Sequence, residues 1–445
     1  MPFGRSLWLP SSHEPQHNVH NLAQLTSSVS TTVDTTGRES SRGRRKPCRL
    51  ALPPQLADDA IQPLTFALVD VLARDDGSSR KRATVRKFTT IPADQHHVEP
   101  LLRALRTSAL RRSAVEEAQL VIADVDILLH INKHGVPDID PQHACRRLLL
   151  AAGDHRSSLV LSSSFSCGAL QAVFAPCLAH LAASNRSYIG TTETEFASRC
   201  GFPRSRTVVI PYNANRFASA AGTTLPQRAA AARSTDVYLA ANLRRGSRSG
   251  YTELPSLLPN RTVTIRDVKL LQVGACNRHG WCSPSGGPDE AIDAASASAF
   301  AMLDSRLCLV PRGDTLTSRR LFDALAAGCV PVIVPEAATA NAMAAELPFP
   351  RSVPWAQIAL FLTSAQCGQA AGDARAVSRE FASQIEALLN DAERLRELQR
   401  RGVAASRQLE LSAPRAGTAL LRELAAITAD HRSRGSFSRR RLRSV

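Results

Sequence analysis

The chain has 445 residues, with 55 Lys and Arg against 39 Asp and Glu, a net charge of +16 and a pI near 10.1. That length exceeds one ordinary domain and allows two cores, and the 44% hydrophobic content is that of a globular chain, with no apolar run of about 18 residues that could cross a membrane. The excess of positive charge favours an anionic partner, but aromatic residues make only 5% of the chain and no base-reading motif occurs, which places nucleic acid behind other anions.

Taken in chain order, residues 1–46 are polar, rich in Ser and Thr, and end in RESSRGRRK, a disordered basic segment. Residues 47–225 form a first domain, with a strand at CRLALP, a helix and strand over 114–125, a strand over 159–163 and another at RTVVIP (206–211). Its most apolar stretch, SCGALQAVFAPCLAHLAAS, is interrupted by Pro176 and His180 and belongs inside that domain. A polar, Ala-rich link, SAAGTTLPQRAAAARST, leads to a second domain over 235–385 that opens with the strand DVYLAAN. Within it, LCLVPRGDTLTSRRLFDALAAGCVPVIV reads as one strand, loop, helix, strand unit. Leu307 to Val310 and Val330 to Val334 are interior parallel strands, Thr317 or Ser318 caps a helix with apolar Leu321, Phe322 and Leu325, and Gly328 ends it. Helical periodicity fills residues 386–430, and 431–445, HRSRGSFSRRRLRSV, is a disordered basic tail. The predicted class is α/β.

The ten cysteines form no zinc pattern, since C-x-x-C pairs are absent and the closest spacing is that of Cys276 and Cys282 in ACNRHGWC, with His279 between them. In an oxidising compartment that pair predicts a short disulfide loop; in a reducing one, two surface thiols. Cys308 and Cys329 sit in or beside the two buried strands and read as core residues. Two glycosylation triplets occur, at Asn185 and Asn260.

The loop PRGDTLTS follows the first strand of its unit, which places it at the strand's carboxyl end, where open α/β sheets bind ligands. A helix amino terminus favours anions, and Arg319 and Arg320 add full charges beside it. Asp323 follows Arg320 on one helical face. An arginine for a diphosphate and a carboxylate for ribose hydroxyls would suit a nucleotide; a plain surface pair between Arg320 and Asp323 is the other reading, and spacing leaves both open.

The same stretch resembles the signature of the exostosin family of glycosyltransferases, family 47, over about two dozen unbroken residues. Weaker echoes follow in family order: RTSALRRSAVEEAQLVIADV, AAGDHRSSLVLSS, YIGTTETEF with TVVIPY, and DVYLAANLRRG, together covering roughly residues 47–385. The resemblance implies two facing Rossmann-like domains of the GT-B type. A nucleotide sugar, UDP-linked in the expected case, would be held by the second, and a glycan or glycoprotein acceptor by the first. Final helices would return to the first domain. It also implies inversion at the anomeric carbon with no cofactor and no metal required, a Golgi setting, and a partner glycosyltransferase in some members. Arg320 would contact the diphosphate and Asp323 the ribose. Heparan-building members carry Glu where this chain has Asp323, which shortens the arm.

Inverting transfer needs a base for the acceptor hydroxyl and stabilisation of the departing diphosphate. For the second role the candidates are Arg312, Arg319, Arg320 and Arg244 or Arg245 in NLRRG, the last two being equally readable as a solvated turn. For the base they are Glu193, with Glu195 beside it, and His155, which Asp154 could orient. Asp314 shapes its own turn. Two other classes stay on the table: a family-like protein without turnover that binds a glycan or a partner transferase, and a basic nucleic-acid-binding protein.

Overall fold

In the computed structural model the described residues are 52, 55, 61–73, 98–127, 140–162, 167–214, 232–243, 246–267, 298, 301–311, 318–334, 346–362 and 379–441. All lie in one compact unit, Lys46–Val445. The expected basic segment 1–46, all of CRLALP but Leu52, most of the Ala-rich link and the ACNRHGWC loop fall outside the described residues.

The first half is built from β1 (Phe66–Val69), α1 (Glu99–Arg106), β2 (Leu120–Ala123), α2 (Pro141–Ala152), β3 (Ser157–Leu161), α3 (Cys167–Ala183), β4 (Ser187–Thr191), α4 (Thr194–Arg199) and β5 (Thr207–Val209). The strands are parallel in the order β1-β2-β3-β4-β5. Strand side chains alternate between faces, so Leu120 and Ile122 meet Leu101, Leu102 and Leu105 of α1, while Val121 and Ala123 meet Leu148 of α2 and Phe174 of α3. Both faces are covered, and accordingly β2 is buried at every position. The helix expected before β2 is only one 3-10 turn, Val115–Glu117. Residues 110–112 run along β1 instead, with Leu110 accepting from Phe66 N–H and Phe66 from Arg112 N–H, and too few residues are left for a helix.

The second half comprises β6 (Thr235–Ala241), α5 (Leu254–Leu257), β7 (Val263–Asp267), β8 (Ser305–Pro311), α6 (Arg319–Ala326), β9 (Val330–Val334), α7 (Trp355–Ile358) and β10 (Leu360–Phe361). Its sheet is parallel in the order β10-β9-β8-β6-β7. The chain steps from β6 to β7 on one side and returns to build β8, β9 and β10 on the other, so the winding reverses between β6 and β8. The two sheets and their helices are compatible with two Rossmann-like domains.

The two strands and the helix of the strand, loop, helix, strand unit fold as their sequence predicts, while its loop over 312–317 lies outside the described residues. The extended Ser318 caps α6 by accepting from Arg320 N–H, and Gly328 takes φ +66° after the helix. A Cβ at Gly328 would lie 3.1 Å from an Arg233 guanidinium nitrogen and 3.2 Å from Val403, so the position needs glycine for space as well as conformation. Arg233 is there because it donates to the carbonyls of Met302, Ser305 and Ala327, tying the ends of β8 and α6 together, and burial pushes its pKa down to about 10.

Cys308 and Cys329 are joined in a disulfide, which corrects their reading as plain core residues. β8 and β9 pair side by side, and both thiols point into the same small core with Tyr238 and Ala324. Two further disulfides, Cys145–Cys177 and Cys167–Cys200, fasten α3 to α2 and to the end of α4. None of the described cysteines is free.

The chain closes with α8 (Arg379–Asn390), α9 (Ala392–Leu409) and α10 (Pro414–Arg441). α9 packs on α6, α7 and β9, whereas α10 crosses to α1 and β5 of the first half, where Gly417 sits against Leu105. One apolar core therefore runs from Leu101 and Tyr188 through Leu420 and Leu424 to Phe322 and Trp355. α10 runs on to Arg441, into the stretch read as a basic tail, and 442–445 lie outside the described residues; a helix already begun adds residues without a new nucleation cost, and this stretch is rich in arginine, a good helix former. Among the described residues no helix is long and apolar enough to cross a membrane.

Candidate functional site

α6 begins just beyond the carboxyl end of β8, beside the reversal of winding. Arg320, in its first turn, reaches across that reversal: its Nε donates to Ala240 O of β6 at 2.8 Å, and a terminal nitrogen donates to Ser318 Oγ at 3.4 Å. The guanidinium is thereby fixed at the carboxyl ends of both switch-point strands. Burial pushes its pKa down to about 10, Arg248 lowers it further, Asp323 and Tyr238 oppose the shift, and Arg319 adds to it. At neutral pH the group is still charged. A half-buried cation with two other guanidiniums nearby and one carboxylate is a setting that an anion would relieve.

Asp323 is buried on the same helix and pairs with Arg319, Nε to Oδ2 at 3.4 Å. The surface pair weighed from the sequence thus forms with Arg319, and Arg320 is held by the β6 carbonyl instead.

The carboxyl edge of the first sheet comes against this region through Tyr212 and Glu193. Glu193 follows β4 and occupies the N-cap position of α4. It is 8% exposed, and the Tyr212 hydroxyl donates to its Oε1. The Tyr212 ring in turn rests on Phe322 of α6, centroids 5.9 Å apart at 46°. Glu193, Tyr212, Phe322 and Asp323 therefore form a chain of neighbours from one half to the other. Beside them Glu346, buried and belonging to the second half, accepts from Thr194 N–H at 2.7 Å and from the Thr194 hydroxyl. Burial raises the Glu346 pKa; the Thr194 bonds and Arg204 oppose this, and the Glu193 charge adds to it. Ser162, just past the carboxyl end of β3, is 2% exposed with its hydroxyl oxygen unpartnered.

His155 lies elsewhere. It precedes β3, and it lines a cavity of about 530 Å³ with Glu116, Gln119, Arg156, Ser157 and Thr428 at the amino edge of the first sheet. The structure does not bring it to Glu193, which stands at the opposite edge. Glu195 is exposed and pairs with Arg199. Arg312, Asp314, Arg244 and Arg245 lie outside the described residues. Sequence reasoning passed over Glu346, the Tyr212 hydroxyl, Arg248 and Ser162. Ser162 and Tyr212 follow strands at the carboxyl edge, and that position was a usable signal; Glu346 carries none.

Among the described residues no group of three or more His, Cys, Asp and Glu side chains is placed to hold a metal ion.

With this geometry in place, residues 179–372 match the family model of the exostosin GT47 domain, a glycosyltransferase domain. The match spans a little under half of the chain, narrower than the run of sequence echoes, and includes Glu193, Tyr212, Arg320, Asp323 and Glu346 while leaving out His155. No curated protein matches the chain.

Proposed function

We propose that this chain, with an exostosin GT47 domain over residues 179–372, is an inverting glycosyltransferase that moves a sugar from a UDP-linked donor onto a glycan acceptor. The observation that carries this reading is Arg320, a half-buried cation fixed on Ala240 at the switch point between β6 and β8. In this reading Arg320 binds the diphosphate, with Arg319 and Arg312 adding charge, and Asp323 accepts from the ribose hydroxyls. Arg245 is kept as a further donor contact on the resemblance alone.

For the transfer itself, Glu193 takes the proton of the acceptor hydroxyl, whose oxygen attacks the anomeric carbon from the face opposite the diphosphate. The bond to the diphosphate breaks, its electron pair stays on the leaving oxygen, and the arginines stabilise that charge. Tyr212 fixes the direction in which the Glu193 carboxylate faces. We set His155 aside as the base, because the amino edge of the sheet is the wrong end for a group that must meet a ligand at the carboxyl edge.

The disulfides support an oxidising compartment, and with the family resemblance we assign the protein to the secretory lumen at the Golgi. Incubation with a panel of UDP- and GDP-sugars and oligosaccharide acceptors, with release of free nucleotide and the anomeric configuration of the product read by NMR, tests the reading. Transfer with inversion is expected; retention, or no release with any donor, contradicts it.

A further inference from the structure

We propose that Asn185 and Asn260 carry N-linked glycans, set on the amino edges of the two sheets and clear of the candidate donor site. Both asparagines meet the triplet requirement, as Asn185-Arg186-Ser187 and Asn260-Arg261-Thr262. The triplets alone could be coincidence. The structure adds two independent facts.

The first is placement. Asn185 is exposed in the turn between α3 and β4, and Asn260 is exposed in the turn between α5 and β7. A residue just before a parallel strand lies at the sheet's amino edge, so both project from the side opposite Glu193 and Arg320. A glycan at either turn meets solvent rather than the site. The turns themselves are held by neighbours and not by the asparagines: Arg186 donates to Asp154 O at 2.7 Å, and Arg261 to Glu386 at 2.9 Å.

The second is the redox setting. All six described cysteines are paired, which fits an oxidising compartment, and the inference rests on the proposed reading that this is the secretory lumen, where asparagine amides are glycosylated. Ser187 is buried and receives a hydrogen bond from Ser158 in the folded protein. That does not conflict, because modification acts on the chain as it enters the lumen, before β4 is in place.

The reaction draws on a lipid-linked oligosaccharyl diphosphate as co-reactant. The asparagine Nδ2 forms a bond to the anomeric carbon and loses one proton, the bond from that carbon to the diphosphate breaks, and the lipid diphosphate leaves with the electron pair.

The test is the full chain secreted from a eukaryotic host behind a signal peptide. Peptide mass spectrometry after enzymatic removal of N-glycans in heavy-oxygen water should show Asn185 and Asn260 converted to labelled Asp, and N185Q and N260Q should each remove one glycan. Thr262→Ala, which keeps the asparagine, should also clear the second site. An unmodified peptide at either position overturns the assignment there, whatever the variants do to folding. UDP affinity that changes more than twofold on deglycosylation would overturn the placement away from the site. The mass result holds whether or not the chain transfers sugar, so failure of the enzymatic reading is separable from failure of this one.

Discussion

Glu346 accepts two hydrogen bonds from Thr194, one from its backbone N–H and one from its hydroxyl, although 152 residues separate them. The contact joins the segment after β9 to the first residue of α4, immediately beside Glu193. A buried carboxylate of the second half thus holds the turn that carries the proposed base in the first.

Burial raises the Glu346 pKa above its usual 4.5, so the folded protein holds that proton more tightly than the unfolded chain. The sign follows: as pH rises from 4.5 to the raised value, the unfolded state loses the proton first and stability falls. Urea midpoints from pH 4 to 8 should therefore decline less steeply in Glu346→Gln than in the parent. Part of the slope will remain, since burial also raises Glu423 beside Arg351. An unchanged slope counts against this assignment. Glu346→Ala, which strips both Thr194 donors of their partner, should cost about 1–3 kcal/mol at pH 7.

Arg320→Ala should weaken UDP binding by about 1.5–3 kcal/mol, roughly ten- to a hundredfold, in a titration calorimeter. Arg320→Lys should not restore it, since an ammonium cannot hold the Ala240 carbonyl and an anion with the same planar fork. Full recovery with lysine would show that only charge matters there.

Glu193→Gln should lower kcat by about 10²–10⁴-fold with little change in donor affinity. Tyr212→Phe keeps the ring on Phe322 and removes the hydroxyl that donates to Glu193, so its kcat should fall by a smaller factor. His155→Ala, at the far edge, should leave kcat within about twofold. A large loss at His155 with Glu193→Gln active would reverse the assignment.

Replacing Cys308 and Cys329 together by serine removes a cross-link between residues 21 apart and should cost about 3 kcal/mol on the loop-entropy estimate. The thermal midpoint of the double variant, compared with the oxidised parent, checks this; no difference between the two would mean the pair is not joined.

Much of the second half was legible because its signals are local. Ser318, Leu321, Phe322, Leu325 and Gly328 lie within one short stretch, and each has a cap, face or turn reason to be there. The reversal of winding that gives Arg320 its importance was not legible, since strand order depends on pairings such as Tyr238 with Cys308, 70 residues apart. The disulfide between Cys308 and Cys329 escaped for the same reason: it needs the register of β8 on β9. His155 is a different case. Its place before a strand already marked the amino edge, and the rule that put PRGDTLTS at the ligand would have put His155 away from it. Glu346 had no local signal at all, because its partner is reached only through the tertiary fold.

The most direct test of the central claim is a thermal-shift screen of the purified chain against UDP- and GDP-sugars, repeated with Arg320→Ala and Asp323→Ala. The account predicts that one UDP-sugar raises the melting temperature of the parent and that neither variant responds. A well-folded parent stabilised by no nucleotide sugar, or stabilised equally in both variants, would contradict it.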